Sequence, residues 1–224
     1  MKASYVLTRV QDILQDTTGV RWPDTELLRY LNDAQHEVVL HKPDASSDNI
    51  TMSLVPGTRQ RIPNNALRLL DIVRNVTSGT PPGPGHAVTL LGRGVLDAQR
   101  RGWHAQTPSV TIEHYIYDPR DPKTFYVYPP ATAQARLELI VSTAPAVINT
   151  INDDIWLDSI YVNVLIDYVL YRAYSKDADF AANLDRAMTH YQAFATALGI
   201  KTQGDYGFVP RAAARDSRDG VDAP

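Results

Sequence analysis

The spacing of apolar residues changes period twice along the chain, and this feature most narrows the folds open to it. Near the start, Val6, Val10, Ile13 and Leu14 recur every three or four residues. So do Leu27, Leu31, Ala34 and Val38, with Leu28 beside them. That spacing marks helices with one apolar face. Thr17-Thr18-Gly19-Val20 separates the two runs. Trp22-Pro23-Asp24 opens the second, with Asp24 as the expected N-cap and Glu26 in the dipole-favoured first turn. Pro43 ends it, so residues 1–43 read as a helical hairpin that needs a partner for its apolar face.

From Ile50 the period falls to two. Ile50 to Val55 alternates, Pro56-Gly57 signals a turn, and Arg59 to Ile62 is expected to return beside it as a second strand. Leu67 to Val76 continues the β pattern. Gly79-Thr80-Pro81-Pro82-Gly83-Pro84-Gly85 is expected to be a loop throughout, because Pro and Gly suit neither helix nor strand interior. Val88 to Leu91 reads as short extended chain and Val95 to Trp103 as a short helix. Val110 to Tyr117, Thr124 to Tyr128 and Ala135 to Val141 read as strands, with a turn at Asp118-Pro119-Arg120-Asp121-Pro122. The region 44–150 is therefore expected to be an inserted, mostly antiparallel β lobe.

Helical spacing then returns. Asp153 or Asp154 is the expected cap of a helix through Tyr174. A second helix starts near Asp179, stepping through Phe180, Leu184, Ala187, Tyr191, Phe194 and Leu198, with Gly199 just past its end. Residues 151–199 thus form a second hairpin, and 200–224 an extended tail. Two hairpins with one apolar stripe each bury those stripes most simply against each other in a four-helix bundle. The fold class is α+β: a bundle from N- and C-terminal helix pairs, an inserted β lobe and an extended C-terminal tail.

Composition removes several function classes. There is no cysteine, which excludes disulfides, thiolate metal sites and thiol nucleophiles. The net charge of −3 gives no broad pull toward nucleic acid or anionic lipid. Met1 to Asp16 does not read as a secretory leader, because Arg9 and Asp12 interrupt it. Ile160 to Tyr171 is too short and too polar to span a membrane. The sequons at Asn49 and Asn75 read as chance occurrences.

Motifs for chemistry are equally scarce. Gly83-Pro84-Gly85 lacks the Lys-Ser/Thr of a phosphate loop, and no G-x-S-x-G elbow is present. His36 and His41 are five apart, whereas helical metal pairs need three or four. Asp44 and Asp48 lack the alternating oxygens of a calcium loop. Asp118 and Asp121 suit local turn bonds, and Asp167 suits a structural partnership with Tyr171 or Arg172. No catalytic residue, metal site or cofactor is expected. Arg93, Arg100 and Arg101, with Arg59 and Arg61, are the candidate basic residues for a DNA passage or an interface. Tyr115-Ile116-Tyr117 and Phe125 to Tyr128 read as cross-strand packing. Tyr206, Phe208 and Val209 are the apolar group of the tail.

Three stretches carry a resemblance. Arg21-Trp22-Pro23-Asp24-Thr25-Glu26-Leu27-Leu28-Arg29-Tyr30-Leu31-Asn32-Asp33-Ala34-Gln35, Asp118 to Pro130, and Asp167-Tyr168-Val169-Leu170-Tyr171-Arg172-Ala173-Tyr174-Ser175-Lys176-Asp177 resemble the head-to-tail adaptor (connector) proteins of tailed bacteriophages. The likeness returns at Phe194 to Gly199.

The resemblance implies a non-enzymatic virion protein, assembled in the bacterial host cytoplasm. It implies a ring of about twelve copies under the portal, enclosing DNA without sequence-specific binding and presenting a platform to a tail or nozzle protein. At −3 per chain such a ring totals roughly −36, which would let DNA slide. By the same analogy Tyr206, Phe208, Val209 and Arg211 are the portal-docking residues of the tail. Two other readings stand beside it: another tail component (stopper, gatekeeper or tubular tail protein), and a hydrolase or carbohydrate-binding lobe on the Tyr-rich sheet.

Overall fold

A computed structural model of the chain describes residues 1–77, 79, 83–179 and 182–207, with backbone alone for 200–207. The chain divides into two compact units, one of Met1–Lys42 with Ala146–Pro224, the other of Pro43–Pro145. Helices dominate the first and antiparallel strands the second, an α+β fold.

In the first unit, α1 spans Ala3–Leu14 and α2 Asp24–His41. The expected stripe of α2 is buried from Leu27 to Val38. On α1, however, Ile13 lies outside the stripe and is half exposed. Asp24 is the first helical residue and Pro23 takes the N-cap position, so the Asp24 carboxylate is left to accept from Gln11 Nε2 at 2.8 Å. Helix α4 (Val162–Lys176) begins later than expected, after a 3-10 turn at Ser159–Tyr161 whose cap is Asp158. Asp153 and Asp154 are not helix caps. Asp153 instead accepts from the amides of Asn149 and Thr150, and Asp154 pairs with Lys2.

Helix α4 packs on α1, α2 and α5 (Asn183–Gly207). That central position explains why it is apolar around most of its circumference. Ala187, Phe194 and Leu198 of α5 are buried as expected, and the Phe194 ring lies 5.1 Å from that of Tyr168. Leu184 is exposed instead, and Tyr191 lies at the rim of the contact, its ring 5.0 Å from that of Tyr171 on α4 yet more than a third exposed. Phe180 lies outside the described residues. Gly199 does not stop the helix: a Cβ there would meet nothing within 4 Å, and the backbone runs helical to Gly207.

The second unit holds two sheets rather than the one expected. Strands β1 (Ser47–Ser53), β8 (Arg136–Thr143), β3 (Ala66–Thr77) and β4 (Gly83–Ala87) form one, in that order. Strands β2 (Gly57–Arg61), β7 (Thr124–Ala131), β6 (His114–Tyr117) and β5 (Thr89–Leu90) form the other. All pairs are antiparallel except β5 with β6. Ile72, Leu137, Leu139 and Val141 from the first sheet and Phe125, Val127 and Tyr115 from the second share one core cluster.

The expected hairpin of 50–55 with 59–62 does not form. Gly57, at φ +109°, turns the chain out of the first sheet, so β1 pairs with β8 and β2 with β7. The Gln60 side chain then bonds both the amide and the carbonyl of Val55, taking over the polar groups of the corner. Of the expected Pro-Gly loop, Gly83-Pro84-Gly85 belongs instead to β4, and residues 80–82 lie outside the described residues. Proline is tolerated on this edge strand, and a Cβ on Gly85 would sit 2.8 Å from the Asn75 carbonyl, so only glycine lets the strands approach.

Candidate functional site

The five candidate arginines all lie in the second unit. Arg59 and Arg61 sit on β2, facing Tyr126 and Thr124 of β7. Arg93 opens helix α3 (Arg93–Gln99), and Arg100 and Arg101 follow it. Helix α3 and the 3-10 turn Trp103–Ala105 close over the outer face of β6 and β7, where Leu96, Trp103, Ile116 and Tyr128 form a second small core. Trp103 is the anchor. It is buried, stacks on His104 at 3.6 Å, and its indole donates to Asp97 Oδ1 at 2.9 Å. That bond, ahead of the Arg93 charge, holds the Asp97 carboxyl below its ordinary value.

Two of the arginines are engaged: Arg93 pairs with Asp97 at 3.3 Å, and Arg100 donates to the Tyr128 hydroxyl at 2.7 Å with its guanidinium over that ring. Arg59, Arg61 and Arg101 are exposed and have no ion-pair partner among the described residues. The second unit therefore offers three cations without an ion-pair partner, two on β2 and one just after α3. The paired strand tyrosines are a packing element: Tyr115 faces Val127, Ile116 faces Tyr126 and Tyr117 faces Phe125. Tyr115 also donates to Asp71, and burial followed by that bond pushes its hydroxyl well above the ordinary tyrosine value.

Of the tail candidates, Tyr206 lies on the helical backbone of α5, and Phe208, Val209 and Arg211 lie outside the described residues.

In the first unit, two of the stretches that carry the resemblance are bonded to each other. The Trp22 indole donates to the Ala173 carbonyl at 3.1 Å, and Arg21 pairs with Asp177. Lys176 meets Glu26 at 2.6 Å, while Arg172 lies over the Tyr30 ring and 3.6 Å from Asp33. Burial raises the Tyr30 hydroxyl to about 12, with its bond to Glu26 adding to the effect. Asp16 fixes the loop entering α2, because its carboxylate accepts from the amides of Val20, Arg21 and Trp22. The third stretch begins in a turn locked by Arg120 on Asp118, which lowers that carboxyl to about 2, and continues as β7, second strand of its sheet.

Sequence reasoning missed the partner of Asp167. It is His190 of α5, whose Nδ1 lies 2.9 Å from Oδ1, with Tyr174 stacked on the imidazole. A pairing between helices has no signature in local spacing. Among the described residues, no group of three or more His, Asp or Glu is placed to hold a metal ion.

A family model described as SU10 adaptor protein matches residues 1–216. The chain belongs to this family. Its members are phage structural adaptors, and the bonded stretches above are, in this SU10 adaptor chain, the framework of the helical unit. No curated protein matches the chain.

Proposed function

We propose that the chain is a head-to-tail adaptor that assembles as a ring of about twelve copies beneath the portal, surrounds the DNA passage, and offers a platform to a tail or nozzle protein. The observation that carries the reading is the family match across residues 1–216. Its physical support is the use to which the side chains of the resembling stretches are put. The stretches of resemblance are used inside the helical unit or within a sheet, so they build a rigid body rather than a reactive centre.

Within this proposal the segment from Lys201, with Tyr206, Phe208, Val209 and Arg211, docks on the portal as an apolar anchor beside a cation. Arg59, Arg61 and Arg101, together with Arg93 and Arg100, face the DNA passage or the neighbouring copy. Assembly takes place in the host cytoplasm and the product resides in the virion.

Negative-stain electron microscopy of the chain mixed with the portal ring from the same genome tests the reading. A collar on one end of the portal, absent when residues 208–224 are removed, is the expected result. A portal that stays bare with the full chain would overturn it. Reversing Arg59, Arg61 and Arg101 to Glu should leave the circular dichroism unchanged and disturb collar formation or DNA retention.

A further inference from the structure

Four strands end the two sheets: β1 and β4 in one, β2 and β5 in the other. Three are guarded. β4 carries Pro84 between two glycines, β2 has a register shift and exposes Arg59 and Arg61, and β5 is two residues long. β1 is different. Its seven residues pair with β8 without a single register shift, and it contains no Pro, Gly, Lys or Arg. Alternate N–H and C=O groups along its outer side therefore form a regular, open edge.

The core is also incompletely closed along that edge. Asp48, Ile50 and Met52 face Val141, Leu139 and Leu137, whose exposures are 1%, 0% and 0%. Ile50 and Met52 point the same way and pack on the core, yet remain partly exposed. Asp48 is exposed and has no hydrogen-bond or ion-pair partner among the described residues.

We infer that the β1 edge accepts one further antiparallel strand from a different polypeptide, with apolar side chains over Ile50 and Met52 and a Lys or Arg opposite Asp48. The backbone supplies the pairing, the uncovered core selects apolar residues at every second position, and the lone carboxylate selects a cation. A second copy of this chain fits poorly. Antiparallel self-pairing centred on Ile50 sets Asp48 against Met52 of the other copy, and so places two unpaired carboxylates in the seam. The inference stands on the sheet geometry and is independent of the adaptor reading.

The full chain is mixed with the blocked peptide Thr-Val-Thr-Val-Thr-Lys, N-methylated along one edge so that it cannot stack on itself. Hydrogen exchange of the amides in Ser47–Ser53 should slow about tenfold at millimolar peptide, as a newly paired edge requires. A peptide with Glu in place of Lys should give less protection, and D48K should reverse that preference.

Unchanged exchange at Ser47–Ser53 would overturn the inference, as would equal protection by the Lys and Glu peptides. Protection that appears without peptide and grows with protein concentration would assign the edge to a second copy and also overturn it. If D48K fails to fold, the comparison of the two peptides on the native chain still decides.

Discussion

Asn32 and Ile148 are joined by two hydrogen bonds: the side-chain amide of Asn32 donates to the Ile148 carbonyl at 2.9 Å, and its oxygen accepts from the Ile148 amide at 2.8 Å. A single side chain thereby acts as a strand partner for a residue 116 positions away. Asn75 does the same in the second unit, accepting from the Ile112 amide and donating to the carbonyls of Ile112 and His86. Each asparagine ties an irregular segment to a regular element.

Replacing either should therefore cost more than a surface substitution. Asn75→Ala, at a buried position, is expected to lower the unfolding free energy by about 2–3 kcal/mol, since two buried backbone groups of Ile112 lose their partner. Asn32→Ala, at a half-buried position, should cost about 1–2 kcal/mol. Urea denaturation followed by far-ultraviolet circular dichroism measures both. Losses within about 0.5 kcal/mol for the pair would contradict this account.

The two flanks of α5 should respond in opposite ways to truncation. Phe194 is 1% exposed and touches the Tyr168 ring, so Phe194→Ala should remove about 3–5 kcal/mol. Leu184 is 56% exposed, and Leu184→Ala should change stability by no more than about 0.5 kcal/mol. Equal losses at both sites would mean that α5 is packed on both flanks.

Glu26 makes the clamp between α2 and α4 sensitive to acid. Burial alone would raise its carboxyl, but the Lys176 and Tyr30 bonds outweigh burial and hold it below 4.5. A depressed carboxylate adds stability that is present above its unfolded value and is lost as pH falls through the folded one. The urea midpoint should therefore decline as pH drops from 4.5, and Glu26→Gln should flatten that part of the profile. An identical slope in the variant would remove Glu26 from the explanation.

Gln15 ends α1 with φ 56°, in the left-handed region where a Cβ is unfavourable. Gln15→Gly should stabilise the first unit by roughly 0.5–1 kcal/mol, because glycine adopts this conformation without that penalty. A thermal melt would read the gain as a higher midpoint, and a lower one would refute the assignment.

Much of the local structure is legible in the sequence alone. The α2 stripe from Leu27 to Val38 is buried as its spacing requires, β3 occupies the run read at Leu67 to Val76, and the Asp118 turn is held by Arg120. The errors fell where one element answers to a distant one. The runs that end at Val55 and begin at Arg59 flank a turn signal, yet β1 and β2 join different sheets. Asp153 and Asp154 look like caps but are bound to Thr150 and Lys2. Leu184 continues a helical stripe yet stays exposed, and Tyr191 is covered only in part, by Tyr171 of α4. The candidate arginines were individually visible, whereas the Trp103 anchor that sets α3 over β7 was not.

The sequence by itself determined where helices and strands occur, because side-chain period, proline and glycine act within a few residues of themselves. It determined the family too, through stretches that retain their order along the chain. Only the tertiary structure decided which strands pair, which face of each helix is covered, and that Glu26 meets Lys176 across 150 residues. Those choices minimise exposed apolar surface and unpaired backbone over the whole unit, and no local window contains that sum.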